Sequence, residues 1–275
     1  MKRFGNTWRM ACPVCDCKEI KRVWDIPFSR LPEPTILAGA NLHNFPCLDS
    51  ETVWAFAQCD KCCSIFLHSL NAQQGHQGEH YIKKMEHPRH WAGYERRYEI
   101  FKNYIPENAQ SILEAAAGIG QYLTVTRDHN DFPWERFCGI EYNGAYVKEM
   151  HRLGFEAYSC DLNLGLPLEI VGEKFDAVIF SEAFEHMFDA GKTLGFLVDA
   201  LRPGGMIFWS AQAIGSGLPI RPEETIYLSE RGLEKLCEKL NLGVRYAEIH
   251  AGRYLVAATK LEVRDNVERM AGEVS

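Results

Sequence analysis

Short apolar runs alternate with segments of helical spacing through the second half of the chain. The runs are apolar throughout, as expected for strands whose two faces are both covered by helices, and they lie at 111–115, 137–141, 156–160, 175–181 and 206–211. Helices are predicted between them, through about 129, at 144–153 and near 191–201. The pattern predicts an α/β fold built on a mostly parallel sheet.

The pattern changes after residue 211. A loop is expected over 212–228, followed by a helix at about 229–240 that Ser229 could cap. Two further strands, 243–249 and 253–259, are separated by a hairpin-length connection, so they should be antiparallel. Before them, Leu201-Arg-Pro-Gly-Gly205 is typical of a sharp helix end.

The first part of the chain has a different character. Residues 1–70 carry two pairs of cysteines and several prolines, and they have too little apolar periodicity to build a core of their own. Residues 71–105 predict a polar linker or lid and then an aromatic helix from 91, which Pro106 ends. The alternating pattern defines a main domain at 106–262, and 263–275 is a polar tail.

Charge and hydropathy limit the function. The 275 residues contain no apolar stretch near the roughly 20 residues that a membrane span needs, and the first residues lack the apolar core of a secretory signal, so a cytoplasmic protein is expected. The net charge of −7 is divided unevenly, with +3 on residues 1–105 and −10 on 106–275. A main domain this acidic repels a phosphate backbone, which makes a nucleic-acid substrate unlikely.

Cysteine spacing predicts a metal site. Cys12 and Cys15 form one CxxC pair, Cys59 and Cys62 form a second, and 43 residues separate the two pairs. Four thiolates on two tight turns suit tetrahedral structural zinc. Cys63 could replace Cys62, and reduced cysteines without metal are the alternative.

Histidines allow a weaker metal hypothesis. His76, His80, His87 and His90 have spacings compatible with one helical face, but their segment is polar. Solvated or lid residues are the favoured interpretation, and a second metal site is the alternative.

Glycines and acids follow the predicted strands. Glu114 ends the first strand and runs into Gly118 and Gly120, where the chain can approach a ligand closely. Glu141 ends the second strand and Asp161 follows the third, so both carboxylates are expected at the same edge of the sheet as the glycine turn. The glycines alone would also fit a dinucleotide.

Together with the reversed terminal hairpin, four motifs resemble the class I S-adenosylmethionine-dependent methyltransferases over about 106–260. They are Leu113–Gly120, Gly139–Glu141, Ser181–His186 and Leu201–Gly205. The resemblance implies a Rossmann-like sheet with S-adenosylmethionine as cofactor. The cofactor-binding residues predicted on the motifs and around them are Glu114, Ala116, Gly118, Gly120, Glu141, Asp161, Leu162, Ser181, Tyr81 and Tyr94. Ala116 stands where the family often has glycine, and the extra methyl should be tolerated.

The cysteine module in front of this domain is similar to that of the zinc-containing methyltransferases of deoxysugar and polysaccharide pathways, whose C-terminal domain has no counterpart here. This resemblance implies a small-molecule methyl acceptor. Glu185 and His186 are the candidate catalytic residues, with His186 as general base or, alternatively, as a support of its loop. A catalytically silent cofactor-binding subunit whose zinc module recruits a protein, or a ribosomal RNA methyltransferase, are the alternatives.

Overall fold

A computed structural model describes residues 9–27, 53–67, 88–215 and 225–262. Seven strands form one sheet in the order β10-β11-β8-β7-β4-β5-β6. Its parallel part consists of β4 (Ser111–Ala115), β5 (Arg136–Glu141), β6 (Glu156–Ser159), β7 (Phe175–Phe180) and β8 (Leu201–Gln212). The last two strands, β10 (Leu242–His250) and β11 (Arg253–Lys260), are antiparallel to each other, and β11 is antiparallel to β8. The predicted mixed sheet with a reversed terminal hairpin is confirmed.

Among the described residues, five helices accompany the sheet, together with the three 3₁₀ turns given below. They are α1 (Pro88–Phe101), α2 (Gln121–His129), α3 (Gly144–Arg152), α4 (Ala190–Asp199) and α5 (Glu230–Lys239). Three 3₁₀ turns lie at Lys102–Tyr104, Leu168–Ile170 and Phe184–His186. Ser229 caps α5 as predicted, because its Oγ accepts the Gly232 N–H at 2.9 Å. No helix within these described ranges is long and apolar enough to cross a membrane.

A second sheet holds the N-terminal part of the chain. Its order is β1-β2-β3-β9, with β1 at Ile20–Pro27, β2 at Val53–Cys59 and β3 at Ile65–Leu67. The fourth strand, β9 (Ile226–Tyr227), comes from the main domain. Cys12, Val14 and Phe66 lie in the same buried apolar cluster as Trp209 of β8. The N-terminal segment therefore obtains its core by sharing that of the main domain, which its own sequence pattern does not predict.

Two other local predictions are corrected. The segment expected as a helix end, Leu201–Gly205, already belongs to β8, and α4 ends earlier at Asp199. The pairing register with β7 shifts between Leu201 and Met206, so the residues between them bulge out of the ladder. The loop expected at 212–228 contains β9 near its end. His76, His80 and His87, expected as solvated or lid residues, lie outside the described residues.

Candidate functional site

The turn between β4 and α2 lies at the topological switch point of the sheet, where the strand order reverses. β4 has β5 on one side and β7 on the other, and ligands of open α/β sheets bind at the carboxyl ends of strands at such a point. Ala116, Gly118 and Gly120 all have left-handed backbones, with φ of 54°, 55° and 80°. A Cβ on Gly120 would lie 3.1 Å from Met150 Cγ, so glycine is required there for close packing as well as for its conformation.

Glu141 binds this turn to the end of β5. Its Oε2 accepts the Gly118 N–H and its Oε1 accepts the Asn143 N–H, both at 2.9 Å. Burial raises the pKa of the Glu141 carboxyl, and these N–H groups only partly oppose that effect. Each oxygen keeps a lone pair for a further donor, so the carboxylate can accept two hydroxyl groups of a ligand.

Glu114 lies deeper than Glu141. The residue is 4 % exposed, and its two carboxylate oxygens accept the backbone N–H groups of Tyr122 and Leu123 in the first turn of α2, at 3.4 and 3.0 Å. Burial raises its pKa to about 8 in spite of these bonds. The side chain therefore fixes the helix start behind the glycine turn.

Asp161 and Leu162 follow β6. Asp161 Oδ1 accepts from the backbone N–H and the side-chain amide of Asn163, at 3.0 and 2.9 Å. Asn163 Oδ1 in turn accepts the Phe188 N–H at 2.8 Å, which ties the loop after β6 to the loop after β7. Leu162 is buried, with 5 % exposure. The structure thus places both residues at the same edge of the sheet as Glu141.

The loop after β7 carries a polar network that sequence reasoning only partly found. Ser181 Oγ lies 3.2 Å from the hydroxyl of Tyr122 and 3.3 Å from that of Ser210. Arg97 of α1 donates to Tyr122 Oη at 3.2 Å and to Glu182 Oε1 at 2.5 Å. Arg97 thereby bonds helix α1 to α2 and to the loop after β7, at the carboxyl edge of the sheet.

Glu182 has an unusual backbone in this network. Its φ is +55°, and its N–H donates to Ser210 Oγ at 2.8 Å. A left-handed non-glycine residue is uncommon and concentrates at functional sites. Although burial raises it, the pKa of the Glu182 carboxyl is lowered on balance, because the charges of Arg97 and Arg253 outweigh the burial. A Ser-Glu pair directly after a buried strand was the available signal in the sequence.

The two predicted catalytic residues occupy different environments. Glu185 is fully buried and its carboxylate is paired with Arg253 of β11, a partner that the sequence does not reveal. His186 is half-buried at the end of the 3₁₀ turn. Of the two residues, His186 is therefore the more accessible to solvent.

One of the two predicted aromatic contacts can be placed. Tyr94 on α1 packs edge-on against Tyr122, with ring centroids 4.8 Å apart, and contacts the cluster of Ile119 and Tyr146 beside the glycine turn. Tyr81 lies outside the described residues.

Cys12, Cys15, Cys59 and Cys62 meet in space. All four sulfurs lie within 4.8 Å of one another, with Cys12–Cys62 at 3.6 Å and Cys15–Cys59 at 3.7 Å. Tetrahedral zinc with Zn–S bonds of about 2.3 Å requires sulfurs about 3.8 Å apart. The Cys12–Cys62 and Cys15–Cys59 separations match this value, so the cluster fits a tetrahedral metal ion.

The two halves of the cysteine cluster have the same backbone form. The N–H of Asp16 donates to Cys12 O at 3.0 Å and that of Cys63 to Cys59 O at 2.9 Å, and both donors are left-handed, with φ of 58° and 60°. Cys63 thus closes the second turn and is not a member of the cluster, which is formed with Cys62.

Comparison with known proteins identifies the fold. No family model matches the sequence, and no curated protein matches it. Among solved structures, a chain of the complex between the Haloferax volcanii Trm112 methyltransferase activator and a methyltransferase superposes with a TM-score of 0.54 and 16 % identity, covering 67 % of this chain and 95 % of that one. A SAM-dependent methyltransferase from Aquifex aeolicus gives 0.52 and 18 %, over 68 % of this chain and 100 % of the other. The cyclase SpnF gives 0.50 and 13 %, over 61 % and 80 %.

These similarities concern architecture. The chain has the fold of class I S-adenosylmethionine-dependent methyltransferases, as the motifs and the reversed hairpin predict. A fold alone does not determine a reaction. The chemistry has to be argued from the residues at the carboxyl edge of the sheet.

Proposed function

We propose that the protein is an S-adenosylmethionine-dependent methyltransferase that acts on a small molecule, most plausibly a sugar or a secondary-metabolite intermediate. The observation that carries the proposal is the bond between Gly118 and Glu141, which joins a left-handed glycine turn to a carboxylate at the switch point of the sheet. A phosphate-binding loop would have its N–H groups free for anions, whereas here the Gly118 N–H is directed at an acid.

Each neighbouring residue has a role in this proposal. Glu141 accepts the ribose hydroxyls, Asp161 accepts from the adenine amino group, and Leu162 contacts the ring. Glu114 and the turn of Ala116, Gly118 and Gly120 hold the amino-acid part of the cofactor, and Ser181 and Tyr94 close the far side of the site.

S-adenosylmethionine supplies an activated methyl group on a sulfonium when it is bound. The protein's contribution is then to align the acceptor and to exclude water.

His186 is proposed as the base that removes the acceptor's proton. It is half-buried at the end of the 3₁₀ turn in the loop after β7, so the residue is partly open to solvent. Buried Glu185, paired with Arg253, is better suited to hold the His186 turn in place than to exchange protons. The acidic charge of the main domain favours a small acceptor over a nucleic acid.

The four-cysteine cluster is proposed to bind zinc as a structural ion. The sulfur separations, the two matched turns and the absence of an oxygen or nitrogen ligand among the described members of the cluster all fit a closed site. Zinc would supply a rigid cross-link between the two CxxC turns.

Calorimetric titration tests the cofactor. S-adenosylhomocysteine should bind while NAD does not, and Glu141→Gln should weaken that binding roughly tenfold, the cost of about one good hydrogen bond to a charged group. Glu149→Gln, which changes a carboxylate on the outer helix α3, is the matched control and should bind normally. Binding of NAD alone would refute the assignment. Tight S-adenosylhomocysteine binding without methyl transfer to any acceptor would instead favour the silent-subunit alternative.

A further inference from the structure

Thr225 connects the cysteine module with the loop after β7. It directly precedes β9 and is 5 % exposed. Its backbone N–H donates to Glu185 O at 2.7 Å and its hydroxyl donates to the same carbonyl at 2.9 Å. Its own carbonyl accepts the Leu67 N–H at 2.7 Å. One residue is thus bonded to two segments more than 100 positions apart in sequence.

The module side of this connection begins at the cysteines. Leu67 ends β3, which follows Cys62 after only two residues, and β3 pairs with β9. Arg9, which precedes Cys12 by three positions, donates from Nη2 to Met187 O at 3.2 Å and to Thr225 Oγ1 at 3.5 Å. Both CxxC turns therefore lie within a few residues of a contact to Thr225 or its neighbours.

On the side of the candidate active site, the connection from Thr225 ends at His186, the candidate base. Glu185 is held by its carbonyl through Thr225 and by its carboxylate through Arg253. His186 is the next residue, and its N–H closes the 3₁₀ turn on Ala183 O at 3.0 Å. The position of His186 therefore depends on a residue whose other bonds lead to the cysteine cluster.

We propose that Thr225 is a positioning residue through which the metal-loaded cysteine cluster fixes the Glu185–Met187 turn beside the cofactor. This inference rests on the proposed function, since it takes S-adenosylmethionine and zinc as the two ligands. The Thr225 hydroxyl uses both of its capacities, because it donates to Glu185 O while it accepts from Arg9. Neither bond survives in a valine of the same shape.

Coupling between two ligands is reciprocal, so it can be measured at either site. If the cluster and the turn are coupled, saturating S-adenosylhomocysteine tightens zinc binding in the full-length protein, by roughly fivefold or more on the usual scale of such coupling. Zinc affinity is measured by competition with a chromogenic chelator, with and without S-adenosylhomocysteine. The ratio of the two affinities is the coupling.

Variants separate the hydroxyl's role from general stability. Thr225→Val removes the two hydroxyl bonds and keeps the backbone bonds with Glu185 and Leu67, so it should lower the ratio while the protein still binds both ligands. Thr225→Ser should restore the ratio. Arg9→Met removes the second bond to the hydroxyl and should also lower the ratio, which covers the case in which the valine variant does not fold. A ligand that stabilised the whole fold non-specifically would give the same ratio in every variant.

The outcomes are distinct. If S-adenosylhomocysteine fails to bind the wild-type protein, the proposed cofactor is wrong. If it binds but leaves zinc affinity unchanged, or changes it equally in wild type, Thr225→Val and Arg9→Met, the coupling through the Thr225 hydroxyl is refuted while the proposed function stands.

Discussion

A single buried carboxyl, Glu114, gives the protein a pH dependence of known sign. Its pKa is raised from 4.5 to about 8 by burial, so in the folded state the carboxyl stays protonated over a range in which the unfolded chain has lost the proton. The stability it contributes is complete below pH 4.5 and is lost as the pH rises towards 8, at up to about 1.4 kcal/mol per pH unit.

Glu114→Gln should remove this part of the pH dependence. The amide is neutral at every pH and keeps one oxygen for the N–H groups of Tyr122 and Leu123. Urea unfolding of the unliganded protein at several pH values between 5 and 8 measures the effect. The slope of the free energy of unfolding against pH should be smaller in the variant, and parallel curves would contradict the assignment to Glu114.

The glycine turn offers a matched pair of substitutions. Ala116 occupies a left-handed position that costs an L-residue about 1–2 kcal/mol, so Ala116→Gly should be neutral or slightly stabilising once the entropy of glycine is included. Gly120→Ala should destabilise by about 1–3 kcal/mol, because the new methyl meets Met150 in addition to the unfavourable φ. Chemical denaturation of both variants tests this, and equal stabilities would show that the turn is not rigid.

At the scale of elements, α4 is seated directly on the first CxxC turn. The Gly191 N–H donates to Pro13 O at 2.8 Å, and a Cβ at Gly191 would lie 2.8 Å from Val14 O. Gly191→Ala should therefore lower the free energy of unfolding by about 1–3 kcal/mol, although alanine is the better helix former.

Gly195→Ala in the same helix is the control. The nearest atom to its added Cβ is Leu240 Cδ2 at 3.5 Å, an ordinary contact, so the variant should gain up to about 1 kcal/mol from helix propensity. Thermal unfolding of the two variants should shift the midpoint in opposite directions. A shift in the same direction for both would mean that helix propensity, and not contact with the CxxC turn, dominates in α4.

The main sheet could be predicted because each of its elements has a local signal. Apolar runs indicate β4 to β8, and the short connection before Arg253 indicates the final hairpin. β9 has no such signal, since it is two residues long and pairs with a strand about 160 positions away. Its existence depends on the tertiary arrangement alone.

The residues of the candidate site also divide into those that the sequence predicts and those that it does not. Glu141 is predictable because it ends a parallel strand, which places it at the carboxyl edge of the sheet. Its bond to Gly118 follows because β4 and β5 are adjacent parallel strands. Arg97 and Arg253 are not, because each reaches its glutamate from 68 or more positions away on an element whose sequence carries no motif. A long, flexible arginine side chain can be assigned to the site only when the position of its partner glutamate is known.

At the scale of the whole molecule, the cysteine module and the methyltransferase fold share one core. Cys59, Cys62 and Phe66 lie in the apolar cluster that contains Phe180 and Trp209 of the main sheet. Lys239 at the end of α5 adds an ion pair to Asp16 of the first turn at 2.5 Å. A separate module would unfold by itself, whereas a shared core predicts one cooperative transition for both parts.

Replacing one cluster cysteine tests this directly. Cys15→Ser should abolish stoichiometric zinc and lower the midpoint of a single calorimetric transition by roughly 10 °C or more, since each kcal/mol shifts a domain of this size by about 2–4 °C. Cys17→Ser is the matched control, because Cys17 is also half-buried, lies two residues away and is outside the cluster. It should keep its zinc and its midpoint. The contrary result would be two transitions in Cys15→Ser, one of which responds to S-adenosylhomocysteine and keeps the wild-type midpoint. That result would mean that the methyltransferase fold is stable without the metal.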